Sequence, residues 1–137
     1  MSKLIYEAPR PVSEREAMEA IARNDIERLR KLPIDLGFNH ENWRFIQDVC
    51  VRLSDHPDPC VRSSSLLGLS YAARFRGQVE KNVVKPVLLR ALKDNDARVA
   101  QAAQDAIDDI NHSMKWRIGG AKRQKQVEVR YERRKNA

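Results

Sequence analysis

Apolar residues recur along most of this chain at three- and four-residue spacing, the period of a helix with one buried face. Trp43, Ile46, Val49, Cys50 and Leu53 make one stripe, and Val61, Ser65, Leu69, Ala72 and Ala73 a second. A third runs through Val84, Val87, Leu88, Ala91 and Leu92, and a fourth through Val99, Ala102, Ala103, Ala106, Ile107 and Ile110. A shorter pattern precedes them: Met18, Ile21 and Ala22, then Ile26 and Leu29. Few windows alternate strictly enough to be strands, so the pattern predicts an all-α fold.

Punctuation residues place the boundaries. Residues 1–12 contain Pro9 and Pro11 and no period, and read as an extended lead-in. Ser13 followed by Glu16 is a capping box, in which the hydroxyl accepts from the Glu16 amide and the carboxylate returns to the Ser13 amide. Asn24-Asp25 is a turn into a second short helix, which Pro33 should stop. Asn39 is the expected N-cap of the helix carrying Trp43. After His56, Asp58 can cap the following helix while Pro59 takes the first helical position, where its missing N–H costs nothing. Gly77 closes that helix, Pro86 should kink the next or mark its start, and Asp94-Asn95-Asp96 is the turn before a last helix running to about Met114. The polar face of that last helix holds Arg98, Gln101, Gln104, Asp105 and Asp108.

Two of these helix starts match. Asp58 falls on Asp96, Val61 on Val99, Ser65 on Ala103, Gly68 on Ala106 and Leu69 on Ile107, all at one offset of 38 residues. A helical hairpin recurring at this length marks an α-solenoid, because one hairpin cannot bury its apolar face alone. Asp58-Pro59-Cys60-Val61-Arg62 resembles the start of the second helix of a HEAT repeat. Asp96-Ala97-Arg98-Val99 is a weaker copy without the proline, and Pro86 suits the family's often-kinked first helices. The resemblance covers residues 39–114 and implies a short HEAT-like α-α superhelix of about three helical hairpins, with residues 13–32 as a degenerate first one. A generic six-helix bundle is the alternative architecture.

Charge adds a division that hydropathy does not show. Residues 1–114 hold 17 Lys+Arg and 17 Asp+Glu, whereas residues 115–137 hold the remaining nine of the chain's 26 basic residues against two acids, Glu128 and Glu132. The formal net charge of +7 therefore resides in the last 23 residues. The expected organisation is a lead-in (1–12), a helical-repeat domain (13–114) and a basic C-terminal tail (115–137). Within the tail, Gly119-Gly120 reads as a hinge, and Val127, Val129 and Tyr131 alternate with charged residues as a strand would.

Candidate chemistry changes the picture little. His40, His56 and His112 stand in separate turns or helix ends without a nucleophile at a useful spacing. Ser63-Ser64-Ser65 lacks a glycine elbow, and Gly119-Gly120 with Lys122 lacks the context of a phosphate loop. Cys50 and Cys60 lack CxxC spacing and read as small buried hydrophobes. Asp105, Asp108 and Asp109 read as a solvated face rather than a metal cluster. The chain is thus expected not to be an enzyme and to need no cofactor or metal. No run approaches a membrane span and the N-terminus lacks a signal pattern, so a soluble, cytoplasmic protein is expected.

The HEAT resemblance implies binding through the second helices, hence a non-catalytic protein-binding module with contacts drawn from Arg62, Arg74, Arg98, Gln101 and Asp105. Small stand-alone chains of this type resemble bacterial accessory proteins, including inhibitors and immunity partners. The alternative is a nucleic-acid-associated protein gripping phosphates, or an arm meeting an acidic partner, through Lys122, Arg123, Lys125, Arg130, Arg133, Arg134 and Lys135. Partner identity and oligomeric state lie beyond the sequence.

Overall fold

The computed structural model describes residues 8–119, and every regular element among them is helical. Seven α-helices follow in order: α1 (Glu14–Arg23), α2 (Ile26–Leu29), α3 (Leu32–Asn39), α4 (Trp43–Leu53), α5 (Pro59–Tyr71), α6 (Lys81–Leu92) and α7 (Ala97–Met114). A π-helical turn, Ala72–Arg76, continues α5. The basic residues from Lys122 to Lys135 and the alternating stretch around Val129 lie outside the described residues.

Side-chain caps start most of the helices. Ser13 Oγ accepts from the Glu16 amide at 3.1 Å, although the Glu16 carboxylate meets the Ser13 hydroxyl rather than its amide. Asp58 accepts from the amides of Cys60 and Val61 at 2.8 and 3.1 Å, and Asp96 from those of Arg98 and Val99 at 2.8 and 3.4 Å. The two turns matched in the sequence thus carry the same cap, in which a carboxylate satisfies amides that the first helical turn leaves without partners.

The stretch between α2 and α4 differs from expectation. Pro33 does not stop a helix; it stands in the first turn of α3, where no intrahelical bond needs its N–H. Asn39 is correspondingly the last residue of α3, its side-chain amide donating to the Asp35 carbonyl at 3.1 Å. The cap of α4 is Asn42, accepting from the amides of Arg44 and Phe45.

Helix α5 is central. It packs against α3 on one flank and α7 on another and pairs with α4, while α6 pairs with α7 and also touches α4. Leu32, Leu36, Ile46, Leu66, Leu69, Leu88, Ile107 and Ile110 are fully buried between these helices. The α3–α5 crossing is close because it is made at glycine. A Cβ on Gly68 would sit 2.6 Å from Cys50 Sγ and 2.8 Å from the Pro33 carbonyl oxygen, and one on Gly37 would sit 2.9 Å from Tyr71 Cβ. Cys50 is fully buried beneath this crossing, and burial pushes its thiol pKa up.

Three burial assignments change. In α1 the buried positions are Ala17 and Ala20, while Met18 is 44% exposed and Ala22 is exposed. The stripe through Met18, Ile21 and Ala22 is thus about one residue out of phase with the face that α1 buries. In α7, Asp108 is buried rather than on the polar face with Asp105. Cys60 is only half-buried, its Sγ 3.7 Å from an Arg98 guanidinium nitrogen.

The folded body also runs past Met114. Lys115 ends α7 in the left-handed conformation, with φ of 59°. The chain then turns back so that Ile118 is fully buried, and the buried Asn111 side chain brackets it, donating to its carbonyl at 2.9 Å and accepting from its amide at 2.8 Å. Residues 115–118, counted with the tail from charge alone, therefore belong to the packed body.

Candidate binding face on α3, α5 and α7

Three aromatic rings meet where α3 and α5 end. Phe38 packs edge-on against Tyr71 and Phe75, with centroids 5.5 and 5.3 Å apart, and Tyr71 lies 5.4 Å from Phe75. Yet Phe38 and Phe75 remain 46% and 44% exposed. The π-helical turn carries Phe75, and Gly77, at φ of 66°, closes it by donating to the Ala73 carbonyl. Arg76 Nε donates to the His40 carbonyl at 2.9 Å, which fastens this turn to the end of α3. His40 in turn accepts from the Asn42 amide through Nδ1.

One helical turn away from the rings, a groove of about 260 Å³ opens across the same helices. Ile34, Leu67, Ala102 and Ala106 supply its apolar surface, and Asp105 and Asp109 stand on its α7 side. Ser63 Oγ is buried in the lining and has no hydrogen-bond partner among the described residues. Ser64 and Ser70, by contrast, donate to the carbonyls of Arg30 and Leu66. Ile34 and Phe38, and likewise Leu67 and Tyr71, are four residues apart and share a helix face. Groove and rings therefore form one strip.

Of the contact residues expected from the sequence, three gather here. Asp105 lines the groove, Gln101 donates to Asp105 Oδ1 at 3.1 Å, and Arg74 lies 4.0 Å from Asp109 and 6.0 Å above the Phe75 ring. The other two serve the interhelix turns. Arg62 forks onto Asp94 at 2.9 and 3.0 Å and also donates to the carbonyls of His56 and Pro57, leaving its side chain 18% exposed. Arg98 pairs with its own cap residue, Asp96, at 3.3 Å. A third arginine, Arg30, forks onto Asp58 at 2.7 and 3.4 Å; its hydrogen bond is the main cause holding the Asp58 carboxyl down at about 2. Asp94 is lowered likewise, first by its hydrogen bond to Arg62.

The three rings and Leu67 are not among the contact residues expected from the sequence. Leu67 carried a usable signal, since a leucine two residues before Leu69 falls off the buried stripe of α5 and must face outward. Tyr71 and Phe75 also share helical spacing. Phe38 lay in a helix that the pattern did not reveal.

Among the described residues no three His, Cys, Asp or Glu side chains are placed to hold a metal ion, and no helix is long and apolar enough to cross a membrane. His56 contacts Asn24 at 2.7 Å and accepts from the Asp58 amide, a turn-fastening role. What this face offers chemically is apolar area, π surface and hydrogen-bond acceptors. The chain matches no protein-family model, no curated protein and no solved structure.

Proposed function

We propose that the chain is a non-catalytic protein-binding module, a short HEAT-like stack in which α3, α5 and α7 are the second helices and present the binding face. The observation that carries this reading is the Phe38–Tyr71–Phe75 cluster, whose rings are ordered against one another while two of them stay nearly half exposed. Aromatic side chains concentrate in the energetic centres of protein interfaces because they bury a large area with little rotamer entropy lost. Their continuity with an apolar groove makes a contiguous patch of the kind that marks interaction surfaces. The stacked arrangement is supported by the equivalent Asp58 and Asp96 caps and by arginines reaching from one turn to the next.

The test is capture from native extract after nuclease treatment, comparing the wild-type chain with a Phe38→Ser, Phe75→Ser variant of matched thermal stability. A polypeptide retained by the first and lost by the second supports the reading; a retained polypeptide indifferent to both substitutions refutes it. The second reading, nucleic-acid association, is favoured by the confinement of the whole +7 to residues 115–137. It predicts retention that nuclease abolishes, that falls steeply with salt, and that weakens when Arg133, Arg134 and Lys135 are changed to Gln. A truncation that separates the two readings must spare Ile118 and end after Gly119.

A further inference from the structure

We infer that residues 127–131 of the chain's own C-terminal segment lie across the row formed by Leu67, Tyr71 and Phe75, so that a partner reaches this face by displacing them. This rests on the protein-binding reading and adds the regulation of that site.

The row has a regular repeat. Leu67 and Tyr71 stand four residues apart on α5, about 6 Å along its axis, and the Tyr71 and Phe75 rings are centred 5.4 Å apart. An extended segment places every second side chain on one face, at a repeat of about 6.7 Å. Val127, Val129 and Tyr131 have that alternation, with Glu128, Arg130 and Glu132 between them. Three apolar side chains can therefore meet three positions of the row in register while their charged neighbours face water. A lone strand is not stable by itself, so the alternation needs a second surface. The row supplies one, with Leu67 and Phe75 left 36% and 44% exposed.

The place where the chain leaves the packed body brings the two together. Ile118 is held by Asn111 near the end of α7, and Lys81 of α6 lies 5.6 Å over the Trp116 ring. Asp109, two residues before Asn111, is 4.0 Å from Arg74, the neighbour of Phe75. The exit is thus on the α6 side of α7, about one helix diameter, roughly 10–12 Å, from Phe75. Residues 120–126 can span about 24 Å when extended, which is enough to cross the end of α7. Entry from that end sets the direction. Val127 meets Phe75, Val129 meets Tyr71, and Tyr131 meets Leu67 at the groove.

Tethering favours this occupant over a free one. A segment on a short linker acts at an effective concentration of about 1 mM, so a contact with a dissociation constant of about 0.1 mM holds the row and weakens a competing partner about tenfold.

The test uses the full chain with photoreactive benzoylphenylalanine in place of Val129, irradiated at micromolar concentration and mapped by peptide mass. Crosslinks should fall on Phe38 and on residues 67–75 of the same molecule, with a yield unchanged on tenfold dilution and reduced about fivefold or more by Val127→Ser with Tyr131→Ser. In capture from native extract, Val127→Ser, Val129→Ser and Tyr131→Ser together should raise the retained polypeptide about tenfold. Crosslinks scattered over the body, or a yield indifferent to the serine substitutions, overturn the inference. Crosslinked dimers whose yield falls with dilution make a second copy the occupant and overturn it as well. If the crosslinks miss the row while capture still depends on Phe38 and Phe75, the inference falls and the protein-binding reading stands. Crosslinks on the row with capture indifferent to Phe38→Ser and Phe75→Ser remove the reading, and the regulation falls with it.

Discussion

The two flanks of α5 are built on opposite plans. Toward α3, Gly37 and Gly68 let the backbones approach until a single added carbon would collide with Cys50, Pro33 or Tyr71. Toward α7 the packing is as extensive, but Ala102 and Ala106, nearly as small, line a groove with Ser63 and Leu67 at its outer edge. Small residues therefore mean different things on the two sides. Where a neighbouring backbone closes over them they specify packing, and at the outer edge of a helix contact they leave a receptacle. The closed flank is also pinned at its edge, Arg30 reaching Asp58 and the Ser64 hydroxyl reaching the Arg30 carbonyl.

Adding bulk to each flank is the direct way to break this comparison, and the largest effect belongs to Gly68→Val. Its first carbon meets Cys50 Sγ and a backbone carbonyl, neither of which can yield easily in a fully packed region. Overpacking typically costs about 1–3 kcal/mol; with two branches added at this crossing, a loss of roughly 3 kcal/mol or more is expected, read as a fall in the urea midpoint or as loss of soluble protein. Even Gly68→Ala should destabilise, since the helix-propensity gain of about 1 kcal/mol is smaller than the cost of the clash. A stabilised Gly68→Ala would show that the crossing is looser than described.

Next in size is Ile118→Ala, which tests how far the closed body extends. Ile118 is fully buried with both backbone polar groups held by Asn111, so truncation removes apolar burial and leaves a cavity. A loss of about 2–4 kcal/mol follows from comparable core deletions. A change under 0.5 kcal/mol would return residues 115–118 to the tail.

That boundary shows what the sequence made legible and what it did not. The four main stripes, the Asp58 and Asp96 caps and the Gly77 stop follow local rules, and local rules can be read residue by residue. Ile118 could not be found that way: its burial depends on Asn111, a polar residue whose amide is satisfied only after the chain reverses. Helix α3 was hidden for a related reason, since Pro33 carries opposite meanings at the start and in the middle of a helix. Gln47 is a third case. It is buried because its amide clamps Glu80 at the start of α6, donating to the carboxylate at 2.9 Å and accepting from the amide at 2.7 Å. The candidate face was legible only in part: Arg74, Gln101 and Asp105 are contacts that the HEAT resemblance implies, whereas the meeting of Phe38 with Tyr71 and Phe75 is a tertiary event across two elements.

A smaller effect tests the pinned edge. Asp58→Ala removes the α5 cap and should cost about 1 kcal/mol, whereas Asp58→Asn keeps a capping oxygen and isolates the charge. The Asp58 carboxyl is lowered to about 2, first by its hydrogen bond from Arg30, from an unfolded value of about 3.9. A lowered native pKa means that the unfolded chain binds the proton more readily. The charge-dependent stability is therefore present above pH 4 and lost as pH falls toward 2. Melting temperatures of wild type and Asp58→Asn should differ at pH 6 and converge by pH 2; a constant difference would show that the carboxylate charge contributes nothing.

The smallest stability effect is expected on the open flank, and its smallness is the point. Ala102 is partly exposed and lines the groove, so Ala102→Leu places its added carbons in open space rather than against a neighbour. Its stability should stay within about 0.5 kcal/mol of wild type. The same leucine occupies volume in the groove, so on the protein-binding reading capture of a polypeptide partner should fall while the urea midpoint holds. Gly68→Val and Ala102→Leu then form a matched pair, one unfolding the chain and the other leaving the fold but closing its receptacle. Were Ala102→Leu to destabilise as Gly68→Val does, the two flanks of α5 would be equally closed, and the groove would have no room for a partner.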